Sequence, residues 1–572
     1  MQRVRSGDYR EHVKWCAEND TAGDDTLDGR VAVRPLLFLL PLLLTLLFHL
    51  PALFSQFVWD DVGLIQKHPL LSEPSFITSV FSRDYGLEMT SREPSGYYRP
   101  MLMVVNWTLY RLFGPSPLAY HLFSILVAGA SASFLSWLLL RLRVTSSPFL
   151  AIAAGALLAA HPMRTELAQF FMSLPDLVIE IGGSVAIFSI AGSGRPGNWP
   201  WRLAACAMTS LVAALFKETA YFVFSAMAAA ALLHGVVRRS RFSLAGGVGL
   251  MAGLIPAYLL RTMAGIQSVS SGHSLAMLFG EGAGRAFHFG ATSIARIVLP
   301  SSAIFMDWSD YAAGFAATAG VVLLILTASG VVLALALRRS CFPVLVASWF
   351  AAGLANVMLV TAMHIPFADR YCAVLPGVVG MGLVGGWLIR RVAGRISDFQ
   401  DRYGRLGRWL LALYIGLHAA YGLSASAKCL SPVSFFTAMA EENPDMAYPR
   451  VVLASIMFYD LGDFERCEKY AREVMALMPD TKRGREMGKL LAKRYIAESR
   501  FQEALDQILW AEAGLAGDPE VHSLKAISLF ELGRSDEARA SIEKALALAP
   551  ENTSYRKQRE KIIAGVPVGG VP

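Results

Sequence analysis

The apolar residues of this chain come in blocks about 20 residues long, and that block length constrains its fold more than any other feature. A helix of ~20 residues crosses the ~30 Å hydrocarbon core of a bilayer. Within lipid every backbone N–H and C=O must find its partner inside the structure, so repeated blocks of this length imply a bundle of membrane helices. The blocks recur as far as roughly residue 427, after which the chain turns charged. Charged residues make up only 17% of the 572 and hydrophobic ones 54%, a balance foreign to a soluble protein of this size. The expected fold is all-α. A tail at 1–32 precedes a polytopic bundle at 33–430, and a soluble helical segment at 431–564 precedes a disordered tail at 565–572.

Arg and Lys in short loops mark the cytoplasmic side. They cluster at Arg30/Arg34, Arg141/Arg143, Arg195/Arg202, Arg238/Arg239/Arg241, Arg338/Arg339 and Arg390/Arg391/Arg395. About eleven spans satisfy that pattern, near 33–53, 117–140, 148–161, 175–192, 199–216, 218–237, 242–262, 311–337, 341–363, 370–391 and 406–426. The segment 98–114 is apolar but short, with Arg99 and Arg111 near its ends. It reads as a helix lying in the interface, since counting it as a span would place most Arg clusters outside. The outer loops are then 54–116 and 263–310. With the N-terminus cytoplasmic and an odd helix number, the C-terminal segment lies on the far side. The absence of Cys-rich or sequon-rich outer loops favours a bacterial inner membrane, with that segment in the periplasm.

This topology gathers unusual residues at the outer face: Asp60 and Asp61 after Trp59, then Tyr97-Tyr98-Arg99, His121, His161 and Glu166 in the run HPMRTE, Asp176, Glu180, Lys217-Glu218, His364 and Asp369-Arg370-Tyr371. Ionisable residues at membrane ends survive mainly where they pair, bind a cation or do chemistry. A carboxylate can take the proton of an attacking hydroxyl or hold a divalent cation, for which Asp60, Asp61 and Glu166 are the candidates. Arg and Lys suit a phosphate leaving group. Such a set points to group transfer from an anionic lipid carrier. There is no GxxxxGK[ST] loop for nucleotide-driven work and no GxSxG elbow for a hydrolase. The six cysteines show no CxxC, which argues against zinc or redox chemistry. The net charge of +7 follows from Arg in cytoplasmic loops and comes with no basic stripe for nucleic acid.

In the C-terminal segment Cys467, Ala504 and Ala538 occupy equivalent places in successive helix pairs, each pair entered by a Gly- or Phe-marked turn. Their spacing is near the tetratricopeptide period of about 34 residues. Such arrays form an α-solenoid whose concave face binds a protein partner.

Taken in order, Trp59-Asp60-Asp61, Tyr98-Arg99-Pro100, His161-Pro162-x-x-Thr165-Glu166, Lys217-Glu218 and Asp369-Arg370-Tyr371, ending in tetratricopeptide repeats, resemble the transmembrane-and-TPR O-mannosyltransferases and their bacterial relatives. That family lies within the GT-C glycosyltransferases. The chain departs from its pattern at His68-Pro69, at Asp369 and at Leu174. The resemblance implies a GT-C bundle that moves a sugar, mannose-like, from a polyprenyl-phosphate carrier in the membrane lipid to a hydroxyl of an exported protein bound by the repeats. It makes Asp60 or Asp61 the base, with Asp61 slightly favoured. It sets Arg370 on the carrier phosphate, and His161 and Glu166 beside sugar or acceptor, with Arg99, Lys217 and Glu218 as further binding residues. The alternatives are a transporter or flippase of a lipid-linked sugar, and a membrane-anchored repeat scaffold.

Overall fold

The computed structural model describes residues 27–85, 96–145, 147–192, 199–266, 297, 299, 341–362 and 399–567. These fall into two compact units that meet in sequence between Leu430 and Ser431.

The first unit is built from helices α1 (Leu27–Phe48), α2 (Pro100–Phe113), α3 (Pro117–Arg141), α4 (Pro148–Ala160), α5 (Thr165–Gln169), α6 (Leu174–Ala191), α7 (Trp199–Phe216), α8 (Thr219–Arg238), α9 (Arg241–Met263), α10 (Cys341–Ala362) and α11 (Phe399–Lys428). Proline opens α2, α3 and α4, where its missing N–H is no loss and its fixed φ starts the turn. Ser147 and Ser240 cap α4 and α9 through their side chains. Inside α1, the Thr45 hydroxyl donates to the Pro41 carbonyl one turn back at 2.7 Å.

Six described helices are long and apolar enough to cross a membrane. Every expected span that falls on described residues is helical, while 311–337 and 370–391 lie outside them. The first span differs most: its helix runs Leu27–Phe48 and ends at His49, ahead of a 3-10 turn at Leu50–Phe54, because Pro51 cannot extend the α-helical ladder. Segment 98–114 does contain a helix, α2, of 14 residues. At 1.5 Å per residue it measures about 21 Å, short of a bilayer core.

Helix α9 lies against α7 through glycine. A Cβ on Gly249 would meet the Leu203 carbonyl, and one on Gly253 the Ala207 carbonyl. Small residues allow this approach, which lipid-exposed helices need because lipid supplies no hydrophobic drive between them. The segment between α4 and α6 is a loop by connectivity, yet 161–171 is buried throughout. Several of its polar groups are met internally: Thr165 Oγ1 and Gln169 Nε2 donate to the Gly422 and Ser426 carbonyls of α11.

The second unit is a run of helices: α12 (Pro432–Glu442), α13 (Ala447–Ile456), α14 (Phe464–Leu477), α15 (Lys482–Ala497), α16 (Phe501–Leu515), α17 (Pro519–Glu531), α18 (Ser535–Leu548) and α19 (Thr553–Ala564). Cys467, Ala504 and Ala538 are all fully buried, on α14, α16 and α18. The turns carry the left-handed residues the pattern asks for, Gly462 and Gly533, positions where a side chain would be strained. Charged residues join neighbouring helices, with Lys489 bound to Asp518 at 2.7 Å and Arg494 to Glu468.

Candidate active site

The acidic turn is anchored before it begins. Gln56 N donates to the Leu430 carbonyl at 2.9 Å. Trp59 then adopts φ 57°, a left-handed conformation that costs an L-residue about 1–2 kcal/mol. Backbone strain of this sort persists only where the surroundings enforce it, and it gathers at functional sites. The Trp59 ring stands edge-on to Phe170 at 6.4 Å. Asp60 and Asp61 follow, and lead into a π-helical turn at Val62–Gln66.

The two carboxylates are held differently. Asp61 is wholly buried. Its Oδ2 accepts from Phe171 N at 2.7 Å and its Oδ1 from Met172 N at 3.0 Å. Burial pushes its pKa up to about 7, against those two amides and with help from neighbouring Asp60. Asp60 is half-buried. Burial lifts it to about 6, opposed by the Arg99 cation. Only Asp60 combines access with a carboxylate not already occupied by two backbone donors, so of the pair it is the one placed to take a proton.

From these acids a series of polar contacts can be followed. Phe171 and Met172 lead directly into α6, whose first turn carries Asp176. Asp176 Oδ2 receives Lys217 Nζ at 2.9 Å, with both side chains buried. The next residue, Glu218, turns to a different wall: its Oε1 accepts from Tyr98 N at 2.8 Å and its Oε2 from Arg99 Nε at 3.1 Å. The Arg99 guanidinium is bracketed by the rings of Tyr97 and Tyr85, at 4.7 and 4.9 Å. Arg99, Asp60, Asp61 and Glu218 all act electrostatically on the buried Tyr85 phenol, whose pKa is raised chiefly by burial. Arg83, Tyr85, Arg99 and Met103 line a small surface recess there.

The structure thus sets Arg99 within electrostatic reach of Asp60 beside Asp61 and binds Glu218 to Arg99, while Lys217 pairs with Asp176. His161 belongs to another set of contacts. It is fully buried, its Nδ1 accepts from Met163 N at 3.3 Å, and its Nε2 faces the Ile297 carbonyl at 3.2 Å. That arrangement assigns the proton to Nε2 and leaves the ring neutral. Its ring lies 5.1 Å from that of His418. Glu166 is buried on α5, and its carbonyl accepts from Phe170 N at 2.9 Å. Glu180 lies within the bundle, bound to Arg164 at 2.6 Å with neither side chain exposed. His364, Asp369, Arg370 and Tyr371 lie outside the described residues. Among the described residues no three His, Cys, Asp or Glu side chains are grouped to hold a metal, so Asp60, Asp61 and Glu166 do not form a three-ligand cage.

Sequence reasoning passed over Arg164, Tyr85, Asn106 and Tyr120. Arg164 was legible as a cation inside an otherwise apolar stretch. The others carry no local signal, since a single Tyr or Asn in or beside a helix is ordinary.

Comparison with known proteins agrees with the architecture. Residues 519–552 match the tetratricopeptide repeat model, on α17 and α18. The chain is 28% identical over 157 residues to the protein O-mannosyl-transferase F38B6.6 of Caenorhabditis elegans, covering 27% of this chain and 22% of that protein. It is 28% identical over 178 residues to the protein O-mannosyl-transferase Tmtc1 of Drosophila melanogaster, covering 31% and 20%. Tmtc2 of the same fly is 29% identical over 188 residues, covering 31% and 19%. The matched region spans about a fifth of the length of these relatives. The chain is remotely homologous to O-mannosyl-transferase-like proteins over less than a third of its length, and joins membrane-length helices to a tetratricopeptide repeat.

Proposed function

We propose that this protein is an integral membrane glycosyltransferase of the GT-C type. It moves a hexose, mannose by analogy with its relatives, from a polyprenyl-phosphate carrier to a hydroxyl of an exported protein that the repeats bind. The observation that carries this reading is the acidic turn: a half-buried carboxyl raised to about 6, next to a cation, in a site built from several helices. A base is most effective when its pKa lies near the working pH.

In this reaction Asp60 takes the acceptor hydroxyl proton as the oxygen attacks the anomeric carbon. The new carbon–oxygen bond forms as the bond to the carrier phosphate breaks, and the electron pair leaves with the polyprenyl phosphate. The product is the glycosylated protein, the free carrier phosphate and a protonated Asp60, which returns its proton to water. Asp61 holds the turn. Arg370 is the expected phosphate ligand, and Arg99 keeps Asp60 ionised. The base assignment moves from Asp61, slightly favoured on sequence, to Asp60, because both Asp61 oxygens already receive backbone amides.

Asp60→Asn tests it: with the protein inserted normally, transfer should drop by ~10²-fold or more, as for loss of a positioned base. Full activity in that variant overturns the assignment. A second reading, transport of the lipid-linked sugar, draws on the buried Arg164–Glu180 pair inside the bundle, since transporters place charges within the membrane. Movement of the intact donor across proteoliposomes without transfer would favour it.

A further inference from the structure

Asn106 and Tyr120 lie outside every contact so far described, are almost fully buried, and touch all three segments that shape the acidic turn. Asn106, on α2, donates from Nδ2 to the Leu64 carbonyl at 2.8 Å. Leu64 sits in the π-helical turn that follows Asp61. A π-helical ladder would satisfy that carbonyl from the residue five positions on, but that residue is Pro69, which has no N–H. The Asn106 amide stands where the backbone cannot supply a donor. Its own oxygen is then held in place: Tyr120, at the start of α3, donates its hydroxyl to Asn106 Oδ1 at 2.8 Å, and the same hydroxyl lies 3.0 Å from the Asn106 carbonyl. The amide is therefore fixed in orientation, donor toward Leu64 and acceptor toward Tyr120.

The ring of Tyr120 completes the arrangement. It meets Phe171 edge-on at 4.9 Å and Phe57 edge-on at 5.5 Å. Phe171 supplies the amide that binds Asp61 Oδ2, and Phe57 is in the strand of chain that enters the turn. One side chain thus bears on the acids' own segment and on the segment that donates to them, while its hydroxyl reaches the far side of the turn through Asn106.

We propose that Asn106 and Tyr120 are positioning residues that lock the Trp59–Gln66 turn onto the Phe171–Met172 amides and so set the exposure of Asp60. Its transfer readout rests on the glycosyltransferase reading above; its structural readout does not. Each hydrogen bond in the lock joins buried atoms, so removing one partner leaves the other unsatisfied rather than returned to water. Loosening the turn admits water to Asp60 and weakens the burial that raises it. The charged and titratable groups that interact with Asp60 are Asp61, Arg99 and Tyr85, with Glu218 bound to Arg99 behind them and Tyr120 facing Asp61. Tyr120→Phe takes away a phenol that stays neutral across the range titrated, and no other of these groups is removed by the substitutions below.

The experiment compares full-length protein in detergent or nanodiscs carrying Tyr120→Phe or Asn106→Leu with wild type and with Leu138→Ala. Leu138 is a buried α3 residue apart from the turn. Infrared difference spectroscopy against an Asp60→Asn background follows the Asp60 carboxyl as pH is varied, and transfer from a polyprenyl-phosphate hexose is measured in parallel. The expected result is an Asp60 midpoint lowered by about one pH unit in both bracket variants, since burial dominates its shift. Turnover should fall roughly tenfold, as for a slightly misplaced group, with little change in donor KM. An unchanged midpoint in Tyr120→Phe, or an equal displacement in Leu138→Ala, overturns the proposal. Tyr120→Phe removes a single oxygen and decides the matter if Asn106→Leu does not fold. If wild type shows no transfer at all, the glycosyltransferase reading fails, and the infrared titration still tests the bracket.

Discussion

Asp60 and Asp61 are adjacent in sequence, and burial raises both, yet the two backbone amides on Asp61 and the Arg99 cation by Asp60 give them different surroundings. As the proposed base, Asp60 must be ionised to act. Transfer should therefore rise through about pH 6 and fade as pH drops below it; a rate profile across that range checks this, and a flat profile counts against Asp60. The linked effect on stability has the opposite slope. Folded Asp61 keeps a proton that the unfolded chain, with its carboxyl near the usual value, gives up. Its contribution is therefore present below about pH 4 and is lost as pH climbs through about 7. Thermal melts of wild type and Asp61→Asn over that range should show the wild-type dependence flattened in the variant. Sequence marked the acid pair because two carboxylates next to a membrane segment are rare. It did not separate them, because the amides that occupy Asp61 come from Phe171 and Met172, some 110 residues away, and backbone donors leave no trace in side-chain identity.

Between helices, the Arg164–Glu180 pair shows how the buried 161–171 segment is held. Arg164 also donates to the Ala128 carbonyl at 3.1 Å, and Ser131 donates to Glu180 at 3.1 Å, so the pair ties that segment to α3 and α6. Arg164→Met should destabilise by about 3–5 kcal/mol by leaving Glu180 buried and unpaired, and adding Glu180→Leu should recover most of the loss. Thermal denaturation in detergent of the single and double variants measures this. A double variant no better than the single would show that the pair is not the unit that matters. Gly253→Leu should likewise part α9 from α7, since even a Cβ there meets the Ala207 carbonyl. The expected outcome is a lower melting temperature with transfer chemistry per folded molecule unchanged. Among the described residues, helix positions were legible from block length together with the Arg clusters, and α2 was identified as a separate short helix. The end of α1 was misplaced by a few residues, because hydropathy continues past Phe48 while the Pro51 backbone does not.

Across the whole molecule, a membrane bundle carrying the acidic turn and a tetratricopeptide array share one chain, as the sequence period and block lengths indicated. The array was legible because Cys467, Ala504 and Ala538 recur at intervals of 37 and 34 residues, near the tetratricopeptide period of about 34, and each is fully buried where paired helices pack closely. The site was legible only as a list of outer-face residues. Its wiring, through Lys217 to Asp176 and Glu218 to Arg99, depends on chain folding over distances that no local pattern encodes. If the repeats alone carried the function, expression of 431–564 would replace the full chain and Arg370→Ala would be silent; the transferase account predicts neither. The most direct test reconstitutes the full-length protein with a polyprenyl-phosphate hexose and an exported acceptor protein, and reads the acceptor by intact mass. The account predicts that the wild type adds the mass of one hexose and that Asp60→Asn, equally well inserted, does so at least ~10²-fold more slowly. Equal rates in the two proteins would contradict it.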